Sequence, residues 1–70
     1  MADLPGAAVK RLIQQHGGGL RISGSAMSLA VQAAEDYIGR LAREAGAEAE
    51  KERRKTIMDA DIQRARESVG

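Results

Sequence analysis

The stretch that decides the fold of this chain reads Arg54-Lys55-Thr56-Ile57-Met58-Asp59-Ala60-Asp61-Ile62. It follows a helical pattern from about Ser25 to about Arg53, which would span roughly 42 Å at about 1.5 Å per residue. A compact globule of this chain length has a diameter near ~28 Å. The predicted helix is therefore longer than any core that its own chain can build, and we expect a second chain to cover it.

The composition indicates the same need for a partner chain. The 70 residues include one Tyr but no Phe, Trp or Cys, so the interior must come from aliphatic residues and alanine. A domain this small usually needs disulfides, a metal or oligomerisation. The lack of Cys excludes disulfides and thiolate metal sites, and His16, the single histidine, cannot form a metal site alone. We therefore expect oligomerisation, with no metal and no cofactor.

The start of the chain and its hydropathy predict a cytoplasmic protein. Residues 1–6 lack the basic run and apolar stretch of a secretory signal, and no segment is apolar enough to span a membrane. The net charge is only +1, but its distribution is uneven. Residues 51–55 carry four positive charges and one negative, whereas residues 44–50 carry three glutamates and no positive charge.

Helical periodicity and capping residues predict three helices in a single all-α domain over residues 1–70. We expect Asp3 to cap the first helix and either Ser23 or Ser25 to cap the second. Three glycines after His16 should end the first helix, because Gly adopts the left-handed conformation easily. The predicted order is a short, a long and a short helix, spanning about 4–16, about 24–53 and about 58–68.

This layout, with Arg54-Lys55-Thr56-Ile57 leading into a helix that holds Asp61-Ile62, resembles the histone fold, and archaeal histones most closely. The similarity extends from Leu4-Pro5 to Ala65. It implies that two chains clasp head to tail in an intertwined dimer that crosses at the middle of the long helices. Whether the partner is an identical chain or another histone-fold chain stays open. The implied dimer core consists of Leu29, Ala33, Tyr37, Ile38 and Leu41.

The resemblance also implies contacts with duplex DNA. By position in the family, Arg11 would touch phosphate and Arg21 would enter the minor groove. Lys55 and Thr56 would bind phosphate from the second loop. Lysine and arginine release counterions from phosphates, and an arginine in the minor groove reads its width rather than its bases. The complete set of expected DNA-binding residues is Lys10, Arg11, Arg21, Arg54, Lys55 and Thr56.

Six positions at the end of the second helix and in the last helix are also interpreted within the same resemblance. Arg54 and Asp61 match a structural pair that fixes the second loop against the last helix. Arg53 stands where archaeal histones usually have Gly. The positions through which DNA-wrapping members join one dimer to another are charged here, so ion pairs between dimers would be needed for stacking. These candidate dimer–dimer contacts are Glu48, Lys51, Asp61 and Arg64.

We predict a DNA-binding architectural protein, not an enzyme, that bends, coats or compacts duplex DNA on the chromosome with little sequence preference. No catalytic set or small-molecule site can be assembled, and no aromatic platform for single-stranded bases is present. The alternative is a histone-fold dimerisation module for protein assembly without DNA binding. The near-neutral charge and the acidic residues 44–50 favour it. A generic helical-bundle domain leaves the match at residues 54–57 unexplained.

Overall fold

A computed structural model describes residues 3–69 and contains three helices there, with no strand. They are α1 (Gly6–His16), α2 (Gly24–Lys51) and α3 (Asp59–Val69). The predicted all-α order of a short, a long and a short helix is therefore confirmed. Residues 1, 2 and 70 of the predicted domain lie outside the described residues.

The chain divides between Glu35 and Asp36 into two compact units, and the continuous α2 contributes to both. In the first unit, the carboxylate of Glu35 accepts hydrogen bonds from the backbone N–H groups of Asp3 and Leu4. The prediction that Asp3 caps α1 is wrong. Pro5 is the residue before the helix, no side chain caps it, and its carbonyl accepts the N–H of Val9 at 3.2 Å.

The first loop, between α1 and α2, is stabilised by local hydrogen bonds at the end of α1 and the start of α2. The N–H of Gly19 donates to the carbonyl of Gln14 at 2.9 Å, and Gly18 between them has a φ of 73°. This left-handed residue ends α1 as expected, because glycine carries no Cβ to clash there. The hydroxyl of Ser23 then accepts the N–H of Ala26 at 3.2 Å. Ser23, rather than Ser25, is therefore the cap of α2.

The buried interior is small and rich in alanine. The buried apolar residues are Val31 in the first unit and Ala45, Ala49 and Ala65 in the second. In the second unit, Arg64 of α3 donates to Glu48 of α2 at 3.4 Å, so these two helices face each other. Six large apolar side chains are instead exposed, namely Leu12, Leu20, Leu29, Ile38, Ile57 and Met58.

Candidate nucleic-acid interface

The second loop begins with a tight backbone turn at the end of α2. The N–H of Arg53 donates to the carbonyl of Glu50 at 2.9 Å, and that of Arg54 donates to Ala49 at 3.0 Å. This pair of hydrogen bonds is the Schellman motif, in which the residue after the helix cap adopts a left-handed conformation. Here that residue is Arg53, with a φ of 56°. The helix therefore ends at Lys51, two residues before the predicted end.

Arg54 anchors the second loop to α3 through its guanidinium group. Nη1 and Nη2 each donate to one carboxylate oxygen of Asp61, both at 2.8 Å. Nη1 also donates to the carbonyl of Thr56 at 2.9 Å, and Nη2 to Glu52 at 2.7 Å. Four of the five N–H donors of the guanidinium are thus engaged within the chain. Arg54 therefore positions the loop, and one N–H donor of its guanidinium remains for a phosphate.

Asp61 is the acceptor at the centre of this anchor. It is 1% exposed and also accepts the backbone N–H of Met58 at 2.8 Å. That bond is half of a capping box, in which a carboxylate in the first turn reaches back to the residue before the helix. The hydrogen bonds from Arg54 and then from Met58 lower the pKa of Asp61 to about 2. The same contact with Asp61 raises the pKa of Arg54 above its ordinary value, so both groups stay charged.

The anchor leaves the next two residues of the loop at the surface. Lys55 and Thr56 are exposed, and with Arg53 they line a concave surface in the second unit that encloses a volume of about 510 Å³. Within residues 3–69 neither Lys55 nor Arg53 forms an ion pair. The loop therefore presents two cations that form no ion pair in the described residues, together with a hydroxyl group, on a surface that the exposed Glu50 also lines.

The other predicted DNA contacts lie in the first unit. Lys10 and Arg11 are exposed on α1, and Arg21 is exposed in the first loop. None of the three has an ion-pair partner in the described part of the chain. All three are chemically free to bind an anion.

None of the residues assigned to the dimer core is buried within its own chain. Leu29 and Ile38 are 66% and 48% exposed, and Ala33 is exposed as well. Tyr37 and Leu41 are half-buried. Successive steps of four residues place Leu29, Ala33, Tyr37 and Leu41 along one side of α2.

The charged residues at the candidate dimer–dimer contact are paired inside one chain. Glu48 accepts Lys51 at 3.3 Å and Arg64 at 3.4 Å. Asp61 is buried, and its carboxylate accepts hydrogen bonds from Arg54 and Met58 of the same chain. Glu48 and Arg64, two of the candidate dimer–dimer residues, thus form an ion pair between α2 and α3 of the same chain.

Sequence reasoning missed two residues that shape these loops. Glu35 holds the segment before α1, but its partners lie 31 and 32 positions away, and no local pattern indicates such a contact. Glu52 is the second carboxylate on Arg54. Its position two residues before Arg54 in a charged run was the available signal.

The described residues contain neither a metal-ligand cluster nor a membrane-spanning helix. No three acidic, His or Cys side chains come together within residues 3–69 as metal ligands would. None of the helices there combines the length and apolar character needed to cross a bilayer.

Comparison with known proteins gives one match, and it is to a family. No curated protein and no solved structure matches the chain. A sequence profile described as histone-like transcription factor (CBF/NF-Y) and archaeal histone matches residues 2–65, nearly the whole chain. This is a structural, DNA-binding family rather than an enzymatic one. The chain therefore belongs to the family of histone-like transcription factors (CBF/NF-Y) and archaeal histones, and it has their all-α histone fold.

Proposed function

We propose that this protein is a chromosomal architectural protein that dimerises and binds duplex DNA through its phosphates, with little sequence preference. The proposal rests on the arrangement of side chains in the second loop. There the contact between Arg54 and Asp61 holds the backbone, while Lys55 and Thr56 stay exposed beside it. A loop held in one conformation loses little entropy when it binds, which favours a defined phosphate contact.

The chemistry of the exposed groups fits phosphates rather than bases. Lys55 supplies a charge that displaces counterions from DNA, a source of affinity independent of sequence. The hydroxyl group of Thr56 can donate a hydrogen bond to a phosphate oxygen, and such contacts set the register of a protein on the duplex. Lys10 and Arg11 add phosphate contacts from α1. Arg21 enters the minor groove, where its affinity depends on groove width and favours DNA that bends easily.

A second copy of the chain is the proposed cover for the exposed side of α2. This helix has 28 residues, and Leu29 and Ile38 on it are largely exposed. Burying large apolar side chains is the main favourable term in association, and a two-fold dimer buries the same patch on both copies. Two-fold symmetry also doubles every proposed DNA contact, so each substitution removes two of them.

The charges at the end of α2 favour a rival function, assembly with other proteins without DNA binding. Glu48 pairs with both Lys51 and Arg64, and the net charge of the chain is only +1. Lys55, which is exposed and has no ion pair among residues 3–69, favours DNA binding instead. Measurement of duplex binding separates the two functions directly.

The test is a titration of unrelated duplexes with the dimer at several salt concentrations between about 50 mM and about 200 mM. We expect affinity to fall steeply with salt, with a log–log slope of about −0.9 for each phosphate neutralised. Lys55→Ala should make the slope shallower by roughly two units, since it removes two cations per dimer, and should weaken binding similarly on every sequence.

Arg66→Ala is the matched control. Arg66 is also an exposed cation without an ion pair in the described residues, but it lies on α3 away from the second loop. Its removal should leave the slope nearly unchanged. The unfolding midpoint of the same samples should rise with protein concentration, because folding and association are linked. A wild-type dimer without duplex binding at low salt would favour the assembly function.

A further inference from the structure

The turn that follows α2 contains a left-handed residue that is not glycine. Arg53 has a φ of 56°, and the hydrogen bonds donated by its own N–H and by that of Arg54 form a complete Schellman motif. Glycine usually occupies this position, because a Cβ in the left-handed conformation crowds the neighbouring carbonyl oxygen. Arg53 is exposed, so its side chain does not recover that cost by packing in a core.

The charge of Arg53 is free, whereas those of its basic neighbours are not. Lys51 is paired with Glu48, and Arg54 is paired with Asp61 and Glu52. In the described residues 3–69, Arg53 has no acidic partner. Of the four cations in residues 51–55, only Arg53 and Lys55 are thus available to an external anion.

Arg53 also lies on the same surface as the proposed phosphate contacts. It lines, with Lys55 and Thr56, the concave surface of about 510 Å³ in the second unit. Its backbone is held on one side by the turn that ends α2 and on the other by the anchored Arg54. The guanidinium is therefore carried on a fixed backbone at the edge of the proposed interface.

We propose that Arg53 is an additional DNA-binding residue, which binds a phosphate of the duplex together with Lys55 and Thr56. The proposal rests on the proposed function and adds a contact to it. A guanidinium can donate two parallel hydrogen bonds to one phosphate, a geometry that an ammonium group cannot match. The charge gained at the interface is the reason for a side chain at a position that local geometry assigns to glycine.

The variant Arg53→Gly tests the proposal, because its two expected effects have opposite signs. Glycine relieves the left-handed strain, so the midpoint of thermal unfolding should rise by about 4 °C at fixed protein concentration. Duplex affinity should fall on the order of tenfold at about 100 mM salt, and the salt slope should become shallower by roughly two units. A purely structural Arg53 would give the higher stability with unchanged DNA binding.

Three variants complete the design. Arg53→Asn removes the charge but keeps a residue that tolerates the left-handed conformation, so it should lose the same two units of slope. It also serves if Arg53→Gly fails to fold. Arg53→Lys keeps the charge and the strain, so its slope should equal that of the wild type, with a weaker absolute affinity. Arg66→Ala removes a cation from α3 and should change neither quantity.

The outcomes separate this proposal from the proposed function. If the wild type binds duplex DNA and Lys55→Ala flattens the slope, but Arg53→Gly and Arg53→Asn bind like the wild type, then Arg53 is not a contact and only this proposal is overturned. If the wild type does not bind duplex DNA at low salt, both are overturned. Higher stability combined with a flatter slope in Arg53→Gly supports the additional contact.

Discussion

The two loops of this chain both contain a left-handed residue just after a helix, but different interactions support it. Each follows a helix that ends with a left-handed residue, which is Gly18 after α1 and Arg53 after α2. At Gly18 the conformation comes without steric cost, because glycine has no Cβ. At Arg53 it is maintained against that cost, in a loop whose next residue, Arg54, is bonded to Asp61.

The difference shows what each loop depends on. The first loop takes its shape from glycine and from a hydrogen bond of Ser23 to the next turn, both of which are local. The second loop takes its shape from an ion pair that joins residues seven positions apart. The second loop therefore keeps its shape despite an unfavourable local conformation at Arg53, and we expect it to depend on the ion pair. This contrast can be tested by substitutions in each loop, with the stability of the folded protein as the measured quantity.

The largest effect should come from Arg54→Ala, which removes the anchor of the second loop. Asp61 would be left buried with only the N–H of Met58 as a partner, so a charged group would lose most of its compensation. We expect the midpoint of thermal unfolding to fall by more than about 5 °C at fixed protein concentration. Arg21→Ala in the first loop is the control, and because Arg21 is exposed it should change the midpoint very little.

A double-mutant cycle with Asp61→Ala checks that the two residues act together. Each single variant should lose nearly as much stability as the double variant, since either one removes the contact. Additive losses would show that Arg54 stabilises the loop through its other acceptors, Thr56 and Glu52, rather than through Asp61.

Acid should weaken the second loop before it affects the first. The folded-state pKa of Asp61 is about 2, below its ordinary value of 3.8, because the charged form accepts hydrogen bonds from Arg54 and Met58. A lowered pKa contributes stability that is present above the ordinary value and is lost as the pH falls toward the folded-state value. We therefore expect a loss between pH 3.8 and about 2, measured as the unfolding midpoint against pH.

Asp61→Asn is the control for this acid dependence. The amide oxygen still accepts one hydrogen bond, but it does not titrate, so the variant should be less stable near neutral pH and flatter below pH 3.8. A variant whose midpoint falls as steeply as that of the wild type would assign the acid sensitivity to carboxylates other than Asp61.

The smallest effect should come from Gly18→Ala in the first loop. A Cβ added at Gly18 meets no atom within 4 Å, so the only cost is the left-handed φ of 73°. That cost is about 1 kcal/mol, the reverse of the gain expected for Arg53→Gly. Gly6→Ala is the matched control, since a Cβ there is equally unobstructed, φ is not positive, and alanine is the better helix former. Equal effects of the two substitutions would contradict the role assigned to Gly18.

Much of the fold could be predicted from short-range patterns, whereas the start of α1 and the end of α2 were misplaced. Periodicity indicated three helices, and the glycines after His16 and the cap at Ser23 depend on neighbours within a few residues. The expected cap at Asp3 was wrong because α1 begins later, at Gly6, with Pro5 as the residue before it. The end of α2 was placed two residues late because arginine rarely adopts the left-handed conformation, although Arg53 stands where archaeal histones usually have Gly.

The sequence by itself therefore determined the all-α class, the order of the helices and the family, since these follow from local helical preference and from the run at residues 54–62. Only the tertiary structure decided that Glu35 holds the segment before α1 and that Glu48 pairs with Arg64 of α3. The physical reason is that these contacts join residues 16 to 32 positions apart, and only the packing of the helices brings such residues within hydrogen-bond distance.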